Sequence, residues 1–273
     1  MSLSKEAIQH IEAQAIAASG KTVPGTHTPV AVVPASVNLE SLEPYQAHRS
    51  RFRGRLNTTA LHDFVEYVNR HCSLATGPAC FVDQESMAAT VIFNLGTVDQ
   101  AGHGDDLAVL TLKPTAAYAA VRAVLGRSMS QQQLAEWLED WAPNIQALAG
   151  DDPIHIATAI TGIRKMSIKS SSELKSTVGD LSASRSSMDE IEARSQEILP
   201  TAFSFTVVPF EGLGVATILL RLSVITNGES LALKLRWVGE EAQLESFAKE
   251  FKEVLASKIS EGVPVTIGTF AVK

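Results

Sequence analysis

The chain has 273 residues, 45% of them hydrophobic and 6% aromatic, with a formal net charge of −7. That supplies one large core or two modest ones, and its acidic balance excludes a globally basic nucleic-acid binder while leaving room for a local basic face. Two cysteines, Cys72 and Cys80, make neither a disulfide framework nor a zinc site by themselves, and no run approaches the roughly 20 apolar residues of a membrane span.

Met1 to Ala18 is polar and amphipathic, without the continuous apolar stretch of a signal peptide, which predicts a cytoplasmic protein with reduced thiols. Ser4 to Ala18 reads as a short helix, because Ile8, Ile11 and Ala15 share one stripe. The following "SGKTVPGTHTPVAVVPAS" is rich in Pro, Gly and Thr and reads as a linker or extended arm. A helix on such an arm suits docking to another subunit as well as it suits a loose tail. The domain expectation is therefore an N-terminal helix and arm over 1–45, an α+β region over 46–150, and a β-rich region with one long helix over 151–273. The last two also read as one continuous domain.

In "HRSRFRGRLNTTALHDFVEYVNRH", Arg49, Arg51, Arg53 and Arg55 recur at period two. On an extended strand all four guanidinium groups share one side. Asn57 to Thr59 offers N-caps for a helix with Leu61, Phe64, Val65 and Val68 on one stripe. "GPACFVD" starts a strand. Ala88 to Leu95 and Asp106 to Lys113 are two further β-like runs, joined by a loop of about ten residues containing Gly96, Gly102 and Gly104. Pro114 and Thr115 open a helix carrying Tyr118, Val121, Val124 and Leu125, with Gly126 as its stop. Ser130 and Gln133 form a capping-box pattern for the next helix, whose stripe is Leu134, Trp137, Leu138 and Trp141 and which Pro143 ends or bends.

After "AGDDP" the Ser-rich stretch 160–195 alternates apolar and polar residues, which predicts two or three strands or an exposed loop. Ala216 to Val238 is a hairpin centred on Asn227-Gly228, a type I′ signal. A two-residue loop there places Thr226 opposite Glu229, Val224 opposite Leu231, Leu222 opposite Leu233, Leu220 opposite Leu235 and Ile218 opposite Trp237. On the other face Arg221 falls opposite Lys234, with Arg236 nearby. Like charges in that arrangement are unfavourable unless solvent or an anion intervenes. Glu240 to Ile259 is an amphipathic helix with Leu244, Phe247, Ala248, Phe251, Val254 and Leu255 as its stripe, and "VPVTIGTFAV" closes with a strand. The fold class is α+β: antiparallel sheets with helices on one face.

Three clusters invite a functional reading. His103, Asp105 and Asp106 sit in the glycine-rich loop "GHGDD". They supply metal-ligand chemistry if further ligands arrive from elsewhere, but His62 and His71 lack recognisable spacing, and Asp side chains bonded to their own loop explain the same residues. Arg49, Arg51, Arg53 and Arg55 could track phosphates or pair with acidic surface. Arg221, Lys234 and Arg236 form a second basic set. Nucleophile elbows, P-loops and dinucleotide fingerprints are missing from the sequence. "SASRSS" (182–187) has no identifiable base, neighbouring His71 and Cys72 point apart on a helix end, and Trp137 and Trp141 suit a core.

The segments "FRGRLNTTALHDFVEYVNRH", "FVDQESMAATVIFNLGTVDQAGHGDDLAVLTLKPTAAYAAV", "LSASRSSMDEIEA" and "PFEGLGVATILLRLSVITNGESLALKLRWVGEEAQLESFAKEF", in order from about Arg51 onward, resemble the YfdQ-like proteins of bacteriophages and prophages. The resemblance implies a phage or prophage origin and a bacterial cytoplasm. It implies no activity and no catalytic residues, since that family is uncharacterised. The expectation is a non-enzymatic, self-associating binding protein, a homo-oligomer without cofactor or bound metal. The alternatives are a nucleic-acid-binding accessory protein using the arginines, and a metal-dependent enzyme at His103, Asp105 and Asp106.

Overall fold

A computed structural model describes residues 4–19, 43–49, 51–166, 198–227 and 230–271. Contacts divide the chain into a unit Met1–Phe52 and a unit Arg53–Lys273. In the first, helix α1 (Lys5–Ser19) forms where the Ile8–Ile11 stripe predicts it. Both isoleucines remain more than half exposed, at 52% and 54%. Most of the Pro-rich arm lies outside the described residues.

The second unit holds two five-stranded sheets around one core. Sheet 1 is built from β1 (Gly54–Thr58), β2 (Ala79–Asp83), β3 (Ala88–Ile92), β4 (Asp106–Thr111) and β10 (Val265–Ile267), in the order β1-β4-β3-β2-β10. Its centre is antiparallel, as expected, but both edge strands pair in parallel, β1 with β4 and β10 with β2. Long crossovers permit this where a tight hairpin would not. Helix α2 (Leu61–His71) packs on the buried face through Phe64 and Val68. Its N-cap is Ala60, without a side-chain cap. The expected capping residues Asn57 and Thr58 instead finish β1, because Leu56 and Thr58 alternate inward as a strand requires.

Helices α3 (Ala116–Val124) and α4 (Gln131–Asp140) begin as predicted. Thr115 Oγ1 accepts the Tyr118 N–H, and Ser130 and Gln133 close a complete capping box. Gly126 takes the left-handed conformation (φ 70°) that ends α3.

Sheet 2 comprises β5 (Ile145–Ala149), β6 (Asp152–Ile154), β7 (Ala202–Val207), β8 (Ala216–Asn227) and β9 (Ser230–Trp237), in the order β6-β5-β7-β8-β9. Strand β5 pairs with β7, so this sheet joins the segments on either side of residue 150. Residues 160–165, expected as strand, belong to helix α5 (Ile156–Lys165). Its β-branched Ile and Thr residues imitate a strand, but Ala159, Ile160 and Ile163 bury one helical face and His155 Nδ1 caps the Ala157 N–H. The rest of that Ser-rich stretch, "SASRSS" included, lies outside the described residues.

The β8–β9 hairpin forms with a corrected register. Its closing pair is Asn227↔Ser230, which sets Thr226 opposite Leu231, Val224 opposite Leu233, Leu222 opposite Leu235 and Leu220 opposite Trp237. Each expected partner is displaced by two residues. Such a shift keeps every side chain on its own face, so hydrophobic alternation cannot detect it. Helix α6 (Glu240–Lys258) covers the core with Phe247, Ala248, Phe251 and Leu255. Asn69 ties its end to α2: the amide donates to the Lys258 carbonyl (2.9 Å) and Oδ1 accepts the Ser260 N–H (2.7 Å). No helix among the described residues is long and apolar enough to cross a membrane.

Candidate functional site

The loop between β3 and β4 is held from within. The Gly102 N–H donates to the Leu95 carbonyl (2.8 Å) and the Gly104 N–H to the Asn94 carbonyl (3.1 Å). A Cβ at Gly102 would collide with the Asn94 carbonyl oxygen, so only glycine allows this approach. Asn94 is the hub: its Nδ2 donates to Asp105 Oδ1 (2.9 Å) and its Oδ1 accepts the Asp106 N–H (3.1 Å). The Asp105 carbonyl in turn accepts the Gly54 N–H (3.1 Å), joining the loop to the start of β1.

Strand alternation then sends the two aspartates to opposite faces. Asp106 lies on the buried side with Ala108 and Leu110, its side chain 9% exposed. Its Oδ2 meets His71 Nε2 at 3.1 Å, while its buried Oδ1 has no hydrogen-bond partner among the described residues. His71 stacks on Tyr67 (5.1 Å between centroids) and meets Phe93 edge-on (5.0 Å). Burial first, and then the nearby negative charge of Asp106, raise the Tyr67 hydroxyl above its ordinary pKa. This His71–Asp106 pair escapes a reading by motif spacing. The available signal was periodicity: Phe64, Tyr67, Val68 and His71 lie at i, i+3, i+4 and i+7 of α2, and Asp106 shares the inward register of Ala108 and Leu110.

Asp105 faces the other way. With His103, Gly104, Leu107, Arg53 and Arg55 it lines an open groove of about 610 Å³ at the β1 edge of sheet 1. Two of the predicted clusters thus meet: the second half of the arginine series and the outer part of the polar loop. The four-arginine ladder does not form as one strand. Only Arg55 lies within β1, Arg53 precedes it, and Arg49 and Arg51 belong to the N-terminal unit. Gly54 stands where the extended pairing begins, through its contact with Asp105. Arg55 Nε donates to Asn57 Oδ1 (3.0 Å), which holds its guanidinium along the outer face.

The geometry removes the three-residue metal set. The Asp106 carboxylate meets His71 on the buried side while His103 and Asp105 line the open groove, and no group of three or more His, Cys, Asp or Glu among the described residues is placed to hold a metal ion. Cys72 caps α2 and Cys80 is fully buried on β2; both are free thiols, and burial pushes Cys80 up to about 12.

The second basic set sits on the outer face of sheet 2. Because of the corrected register, Arg221 faces Arg236 directly, and Lys234 falls opposite Ser223. Trp137 and Trp141, expected in the core, pack on Phe205 beneath this sheet.

No curated protein and no solved structure matches the chain. One family model matches residues 4–270, that of an "Uncharacterized conserved protein (DUF2303)", and the chain, covered almost throughout, belongs to this family.

Proposed function

We propose that the protein is a non-enzymatic binding protein, encoded by a phage or prophage, that acts as a self-associated assembly. The observation that carries this reading is helix α1, a 15-residue helix whose Ile8 and Ile11 stay more than half exposed. A helix of that length is marginal alone in water and draws its stability from packing an apolar stripe. The phage origin is supported by the sequence resemblance. Light scattering on the full chain at micromolar concentration tests the reading. An oligomer that the Ile8→Asp/Ile11→Asp variant reduces to a monomer is expected; a monomeric wild type overturns it.

A second reading, a nucleic-acid-binding accessory protein, is favoured by one observation: Arg53, Arg55 and His103 share the groove at the edge of sheet 1. Gel-shift titration with the Arg53→Gln/Arg55→Gln variant tests it. Salt-sensitive binding by the wild type, weakened in the variant, is expected; no binding at low salt overturns it.

A further inference from the structure

Like charges directly opposite one another in an antiparallel pair destabilise it, yet β8 and β9 set Arg221 against Arg236. Neither side chain, nor Lys234, nor Arg127, makes an ion pair with a carboxylate among the described residues. The outward row through this pair runs Pro153, Leu148, Ala202, Arg221, Arg236, and the next holds Ser223 and Lys234; no acidic residue stands in either. Arg127 reaches the same edge by a route the sequence does not announce. The segment after α3 bonds to the free side of β9, through the Gly126 N–H to the Leu235 carbonyl (3.0 Å) and reciprocal Met129–Leu233 bonds (2.8 Å each). Gly126 lies beside the Lys234 stem, and Arg127, the residue that follows it in the chain, is exposed.

We propose that this outer face of sheet 2, with Arg127, Arg221, Lys234 and Arg236, binds the phosphodiester backbone of nucleic acid. The inference rests on the nucleic-acid reading above but places phosphate contacts at a site separate from the sheet 1 groove. The Cα atoms of Arg221 and Arg236 lie about 5 Å apart across strands, and those of Lys234 and Arg236 about 7 Å apart along one, a spacing that lets the side chains follow the closely spaced charges of a phosphodiester chain. Arginine forks match phosphate oxygens two at a time. The surrounding outward residues are mixed: Gln146, Ser204, Thr206, Thr217 and Ser223 carry hydrogen-bonding side chains, while Leu148, Ala202, Leu219, Ile225 and Ala232 are apolar. The closely set cations favour a polyanionic backbone, and without an aromatic residue in these rows they predict contact with phosphates rather than stacked bases.

The test is fluorescence anisotropy on the full chain with a labelled oligothymidylate and a labelled duplex, titrated across salt, with phosphatidylserine-containing vesicles and polyglutamate as competing probes. Four phosphate contacts predict a slope of log affinity against log salt near −3 for the single strand and about −3.6 for the duplex. Arg221→Gln/Arg236→Gln should weaken binding about tenfold or more at fixed salt and flatten the slope by about 2, with the melting temperature unchanged or raised. Whichever of the two nucleic acids binds more tightly identifies the source of the phosphates. Arg53→Gln/Arg55→Gln separates the two sites. Loss of binding in that variant alone overturns this inference and spares the broader reading. No binding by the wild type overturns both, and binding to vesicles or polyglutamate without nucleic-acid binding overturns the partner proposed here.

Discussion

His71 and Asp106, 35 positions apart in sequence, close a 3.1 Å contact that fastens the last turn of α2 to the first residue of β4. A buried carboxylate needs a partner, and His71 supplies it. Removing the imidazole by His71→Phe leaves Asp106 uncompensated and should cost about 3 kcal/mol. Asp106→Asn keeps a hydrogen-bonding group and should cost less. Urea denaturation of the single and double variants gives the coupling directly; a coupling indistinguishable from zero would mean the contact contributes nothing to the fold.

The loop closure depends on glycine where backbone meets backbone. Gly102→Ala drives a methyl group into the Asn94 carbonyl, and the displaced loop should lose about 2 kcal/mol. Asn94→Ala, which removes both side-chain bonds of the hub, should lose a similar amount. A Gly102→Ala protein as stable as wild type in urea would contradict the observed approach.

Cys80 gives the protein an alkaline limit. Its folded-state value of about 12 lies above the ordinary 9.0, so the folded chain holds the thiol proton more tightly than the unfolded chain does. This stabilisation is fully present below pH 9 and is lost as the pH rises from there toward 12. Between pH 8 and 10.5 the wild type should lose about 2 kcal/mol more stability than Cys80→Ala. Alkylation of the native protein should label half-buried Cys72 first, with Cys80 reacting only on unfolding. Rapid native labelling of Cys80 would contradict its burial.

The Arg221–Arg236 opposition also has a stability signature. Arg236→Glu converts repulsion into a cross-strand ion pair and should raise stability by about 0.5 kcal/mol at low salt, with the gain fading as salt is added. Thermal melts in low and high salt check this. A drop in melting temperature at low salt would show that the two side chains do not repel.

Signals contained within a few residues were the legible ones. Ser130 with Gln133, Thr115 before α3 and Gly126 after it each act through neighbouring backbone, and each forms as read. Of the stripes expected on α2 and α6, Phe64, Val68, Phe247, Ala248, Phe251 and Leu255 are buried, while Leu61, Val65, Leu244 and Val254 pack half-buried against the same core. The hairpin shows where pattern stops informing: its faces follow from alternation, but alternation repeats every two residues, so a displacement by two changes partners without moving any side chain to the other face. At the site, His103, Asp105 and Asp106 were recognisable as a polar cluster, and alternation alone separates the two aspartates. The partner of Asp106 was not legible as chemistry, because His71 lies on another element and its place is set by the packing of α2 on the sheet.

The parallel seat of β10 beside β2 has a consequence for the order of events at the ribosome. Four strands of sheet 1 are made early, within residues 54–111, while the fifth is contributed by residues 265–267. Until that late segment emerges, the outer edge of β2 presents unpaired backbone groups, which invite pairing with another nascent chain. Translation must run nearly to residue 267 before the sheet is whole, and a nonsense mutation between β4 and β10 would release a chain with an open, adhesive edge.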